Sequence, residues 1–127
     1  MSRPVHFEIH IADADRAIAF YTVVFGWTIT KWEGPWEYWL ISTGEGLGID
    51  GAMLQRRGPP PAEGAAVNSF VVTMDVASCE DTLAAVVKHG GTIAVPMMAI
   101  PGVGWLAYGK DTEGNIFGAM QNDPAAK

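Results

Sequence analysis

The chain has 127 residues, 49% of them hydrophobic and 17% charged, with eight Lys and Arg against fourteen Asp and Glu, a net charge of −6. A chain of this length buries roughly two thirds of its unfolded surface as one domain without disulfide or metal staples, and its apolar content excludes intrinsic disorder. An acidic balance with a pI near 4.8 lacks the basic face that phosphate neutralisation requires, which excludes nucleic acid and anionic membrane partners and favours cationic or neutral ones.

The chain starts Met1-Ser2-Arg3-Pro4 and runs at once into His6, Glu8 and His10, which no secretory h-region tolerates. No apolar run reaches 18 residues and Cys79 is the single cysteine, so the expected setting is the reducing cytoplasm. Residues 5–11 alternate strictly, which predicts a strand with Val5, Phe7, Ile9 and Ile11 on one face and His6, Glu8 and His10 on the other. Asp13 or Asp15 then caps a helix whose apolar positions, Ala17, Phe20, Tyr21, Val24 and Phe25, recur at three- and four-residue spacing until Gly26 stops it. Strands are predicted over Trp27–Glu33, Glu37–Ser42 and Ile49–Gln55. The Pro-rich stretch at 56–66 reads as a connector. Beyond it the order repeats: a strand over Ser69–Met74, a helix over Ser78–His89 with Ser78 and Asp81 spaced like a capping box, then strands over Thr92–Val95, Trp105–Tyr108 and Asn115–Gln121. Residues 96–104 read as a loop.

The two halves also match in residues. Phe7 pairs with Phe70, Gly26-Trp27-Thr28-Ile29 with Gly90-Gly91-Thr92-Ile93, Trp39-Leu40 with Trp105-Leu106, and Gly51-Ala52-Met53 with Gly118-Ala119-Met120. The predicted fold is α+β: one domain over residues 1–127 built from two tandem βαβββ modules, 4–55 and 67–122. They form a curved mixed sheet with a concave cleft and helices on the outer face, the usual home of a small ligand.

These residues resemble the vicinal oxygen chelate superfamily, which includes glyoxalase I, the bleomycin-resistance proteins and the extradiol dioxygenases. The resemblance is carried by HFEIHIADADRAIAFYTVVFGW at 6–27, YWLI at 38–41 and DTEGNIFGAM at 111–120. It implies a divalent metal held by one side chain on the first and one on the last strand of each module. Carried over, those positions fall on His6, on Gly51 or a neighbour, on Ser69 and on Gly118, of which only His6 is a donor suited to a metal. The expectation is therefore no metal cofactor, and the alignment places the neighbouring Asp50 on the opposite strand face from the ligand position.

On the residues themselves, His6, Glu8 and His10 share a strand face. His6 and Glu8 lie about 6.6 Å apart and His6 and His10 about 13 Å, so His6 and Glu8 are the candidate acid/base pair. The bland account is a solvated or dimer-facing strand. The five tryptophans, Trp27, Trp32, Trp36, Trp39 and Trp105, suit a flat or cationic ligand, and Trp39 and Trp105, related by the repeat, are candidate matching walls, with Met53, Met97, Met98 and Met120 as adaptable lining; core packing or a subunit interface is the alternative. Cys79, beside Glu80 and Asp81, reads as structural. The predicted function is binding of a small cationic or aromatic organic molecule by a homodimer. The alternatives are a glyoxalase-like lyase or isomerase, or a dioxygenase relative, using His6 and Glu8, and a non-catalytic regulatory or interaction module.

Overall fold

The computed structural model describes all 127 residues, which divide into two compact units, Met1–Pro60 and Pro61–Lys127. The N-terminal unit runs β1 (His6–Ile11), α1 (Ala14–Phe25), β2 (Thr28–Lys31), β3 (Trp39–Ser42) and β4 (Asp50–Gln55). The C-terminal unit repeats the plan with β5 (Thr73–Asp75), α2 (Cys79–Lys88), β6 (Thr92–Ile100), β7 (Gly104–Lys110) and β8 (Ile116–Asn122). Each unit is an α+β module with one four-stranded mixed sheet, ordered β1-β4-β3-β2 and β5-β8-β7-β6. In both, the first strand pairs in parallel with the last and the remaining pairs are antiparallel.

Local signals account for the helix ends. Of the two acidic candidates, Asp13 is the cap of α1: its Oδ1 accepts from the Arg16 N–H at 3.1 Å, relieving one of the unpaired donors of the first turn. Gly26 closes the helix in the left-handed conformation, at φ 72°. Ser78 Oγ accepts from the Asp81 N–H at 3.1 Å at the head of α2.

One face of each sheet lies under its helix. In the N-terminal unit Phe20 and Tyr21 of α1 are buried, Tyr21 stacks on Trp27 at 4.8 Å, and Trp27 meets Phe7 of β1 at 5.7 Å. Burying a side chain such as Phe20 is worth about 2 kcal/mol. In the C-terminal unit Cys79 and Leu83 of α2 pack on Ala107 and Ala119, with Val76 and Trp105 at the margin.

The predicted strands are trimmed or extended where packing decides. The expected loop at 96–104 is strand as far as Ile100: β6 is an edge strand, and its pairing with β7 shifts register between Val95 and Met98, which accommodates Pro96. At the other end of the sheet, β5 begins only at Thr73, so Ser69 and Phe70 precede it and Phe70 is 99% exposed. Phe70 therefore does not correspond to the half-buried Phe7 on β1.

Candidate functional site

On β1 the alternation holds: His6, Glu8 and His10 are exposed while Phe7, Ile9 and Ile11 turn toward the helix. Strand pairing extends this exposed face across the sheet. His6 stands beside Asp50, Glu8 beside Ala52 and His10 beside Leu54, and Ala52 in turn is paired with Leu40 on β3. Residues opposite one another in a ladder point to the same side, so Leu40 lies on the face of Glu8. The same parity puts Tyr38, two residues before Leu40, on that side, where the Trp32 N–H donates to the Tyr38 carbonyl at 2.8 Å and prolongs the β2–β3 pairing.

Tyr38 joins the two titratable groups of β1. Its hydroxyl donates to Glu8 Oε2 at 2.8 Å and lies 3.0 Å from His6 Nε2. A phenol has one hydrogen, so with that hydrogen committed to Glu8 the imidazole must donate from Nε2. The result is a directed chain, His6 Nε2–H to Tyr38 Oη–H to Glu8 Oε2, that leaves Nδ1 of a neutral His6 as an acceptor. Partial burial of the phenol raises the Tyr38 pKa above its usual 10.0, and the hydrogen bond and charge of Glu8 raise it further. A raised phenol pKa contributes stability that is present in full below the unfolded value and lost as pH rises through the folded one. In an absorbance titration Tyr38 is therefore expected to ionise above 10, and Glu8→Gln to bring its midpoint down toward the ordinary value while the part due to burial persists; an unmoved midpoint would contradict the Tyr38–Glu8 bond.

The other predicted site residues separate. Trp39 is paired with the fully buried Met53, and both lie on the α1 face, opposite His6 and Glu8. Neither shares a surface with the β1 triad. Trp105 belongs to the α2 side of its own sheet, where its Nε1–H donates to Asp123 Oδ2 at 3.1 Å. Met120, paired with Leu106, is half-buried on the sheet face away from α2. His10 shares the exposed face of His6. Tyr38 is the residue that sequence reasoning missed: it falls at the start of the apolar string YWLI, which has no alternation to tell one face from the other.

The register also rearranges the implied metal positions. Gly51 pairs with Phe7 on the helix side, whereas Asp50 pairs with His6, so the acid on the His6 face is Asp50 and the expectation that it points the opposite way is corrected. Gly118 pairs with Thr73 and alternates with Ala119, which packs on α2, so Gly118 points away from its helix. The two Gly-Ala-Met strings are thus one residue out of phase, and letter identity hid the slip because every side chain of a strand changes face with a one-residue shift. Ser69, outside the strand, is not the residue beside Gly118. These donors do not fit a divalent ion: Asp50 Oδ1 already accepts from the Thr43 N–H at 2.8 Å, His6 Nε2 is turned to Tyr38, and no three His, Cys, Asp or Glu side chains converge. On the C-terminal unit a hollow of about 540 Å³, lined by Pro61, Glu63, Ile93 and Lys110 among others, contains none of the predicted site residues. Burial pushes the Cys79 thiol up, in keeping with a structural cysteine.

The fold is the one shared by solved glyoxalase-related and bleomycin-resistance-type structures. Residues 3–44 match the family described as bleomycin resistance protein-like N-terminal. Among solved structures, the chain is similar to a glyoxylase/bleomycin resistance protein/dioxygenase domain from Frankia (20% identity, 97% of this chain and 99% of that one, TM-score 0.72). It is also similar to an antibiotic binding protein from Streptomyces (16%, 97% and 98%, TM-score 0.69) and a fosfomycin resistance protein from Listeria monocytogenes (12%, 97% and 95%, TM-score 0.72). At these identities the likeness establishes the fold and leaves the activity to the residues of this chain. No curated protein matches it by sequence.

Proposed function

We propose that the protein binds a small cationic or aromatic organic molecule on the exposed face of its N-terminal sheet, using His6, Tyr38 and Glu8 as the polar anchor and no divalent metal. The observation that carries this is the His6–Tyr38–Glu8 chain, three oriented polar groups on an open face beside the apolar Leu40. The net charge of −6 favours a cation over an anion there. The likeness to the Streptomyces antibiotic binding protein supports the same class of activity. In this reading the working form is a cytoplasmic homodimer, with exposed apolar side chains such as Val23, Phe70 and Val87 as surface available to bury.

A panel of cationic, aromatic and anionic compounds, titrated calorimetrically against the metal-analysed protein, tests it. Saturable binding of cationic aromatic members, unchanged by chelator, is expected. Stoichiometric metal that disappears in His6→Ala would overturn the metal-free reading. A second reading, proton transfer next to a carbonyl, is favoured by the continuity of the same chain, whose Nδ1 end would accept a proton. Its signature is solvent deuterium entering the carbon beside a carbonyl in wild type and not in His6→Ala.

A further inference from the structure

The His6–Tyr38–Glu8 chain consumes every hydrogen it owns. A neutral imidazole carries one N–H, a phenol one O–H and a carboxylate none. The N–H of His6 is spent on Tyr38 at 3.0 Å and the O–H of Tyr38 on Glu8 Oε2 at 2.8 Å, so the chain has no hydrogen left to offer a ligand. What remains open are two acceptors, Glu8 Oε1 and His6 Nδ1, neither of which has a hydrogen-bond or ionic partner in the protein.

The surrounding face does not supply the missing donors. From Glu8 the row of paired residues continues through Ala52 to Leu40, a methyl and an isobutyl group. Tyr38 has to cross β4 to reach β1, and Ala52, in the middle of that path, is fully buried although Glu8 and Leu40 on either side are exposed. Beside His6 stands Asp50, another carboxylate, whose Oδ1 already accepts from the Thr43 N–H. Of the nearby cations, Lys31 is paired with Trp39 and belongs to the α1 face, and Arg56 donates from Nη2 to the His10 carbonyl at 3.0 Å.

We infer that the group bound at this anchor is a cation that brings its own N–H, a protonated amine, and that the site rejects a quaternary ammonium of the same charge. Attraction to the Glu8 carboxylate acts on both kinds of ion. Only the protonated amine replaces solvent on Glu8 Oε1 and His6 Nδ1 with charge-assisted hydrogen bonds, whereas the quaternary ion displaces the solvent and leaves both acceptors unmatched. A site made of acceptors alone discriminates by that difference, as sites built to hydrogen-bond a ligand reject analogues lacking the matching group. The inference rests on His6, Tyr38 and Glu8 being the ligand anchor, and deepens that reading by fixing the hydrogen-bonding chemistry of the cation.

The test compares 2-phenylethylammonium with its N,N-dimethyl and N,N,N-trimethyl derivatives, ions of one ring and one charge that differ in their N–H groups. They are titrated calorimetrically into the full-length protein at about pH 8, where a free imidazole is neutral and an alkylammonium charged. The dimethyl and trimethyl ions are close in size and differ by the last N–H, so the dimethyl ion is expected to bind about tenfold more tightly. The primary ion, with hydrogens for both acceptors, should also move the ¹⁵N resonance of His6 Nδ1, which the trimethyl ion should leave in place. Glu8 is exposed, so Glu8→Ala should keep the melting temperature and bring the dimethyl-to-trimethyl ratio toward one. A ratio that persists in Glu8→Ala would report the bulk of the third methyl and overturn the inference. Equal affinity of the dimethyl and trimethyl ions for the wild type would overturn it while leaving the proposed function standing, and no saturable binding by any of the three would overturn both.

Discussion

Gly51→Ala is expected to destabilise the protein by about 3 kcal/mol, the upper end of the usual cost of overfilling a packed site, and to lower its melting temperature by roughly 10 °C. A Cβ at 51 would lie 2.5 Å from the Phe7 carbonyl oxygen and 2.7 Å from the Phe7 ring. The carbonyl cannot retreat, because it belongs to a strand fixed to β4 by the parallel ladder. Gly118 provides the control. Its nearest obstacle is the Thr73 hydroxyl at 2.7 Å, a side-chain group that can rotate away, so Gly118→Ala should cost distinctly less. A Gly118→Ala variant as damaged as Gly51→Ala would contradict the opposite facing of the two strings. Position 51 faces Phe7 and the helix side of the sheet, where a carboxylate would be buried without a partner.

Glu8→Ala should weaken binding of a cationic ligand by about 10- to 100-fold, the range expected when a hydrogen bond to a charged group is lost. Tyr38→Phe should cost less, about tenfold, because it removes a neutral bridge and leaves both titratable groups in place. The order of the two is the informative outcome. Equal loss would mean that the chain acts as one unit, as hydrogen-bonded networks do, and a double Glu8→Ala/Tyr38→Phe variant measured calorimetrically gives the coupling directly. Unchanged affinity in both variants would remove His6, Tyr38 and Glu8 from the binding site.

Much of this architecture is written locally. Asp13, Gly26 and Ser78 mark helix ends through hydrogen bonds that reach no further than five residues, and the strict alternation of residues 5–11 exposes His6, Glu8 and His10 without help from the rest of the chain. The order of elements followed from such signals. Tertiary structure alone decided which way the uninterrupted apolar strings face. Trp39-Leu40-Ile41 and the two Gly-Ala-Met strings contain no polar residue to break the symmetry between sides, so Trp39 and Met53 went to the helix and Asp50 to His6 only when the ladders set their register. The Tyr38 link to β1 was equally out of reach of sequence. It joins residues 30 and 32 positions apart across an intervening strand, and the order β1-β4-β3 that makes this possible arises from pairing between distant segments, which no local periodicity encodes.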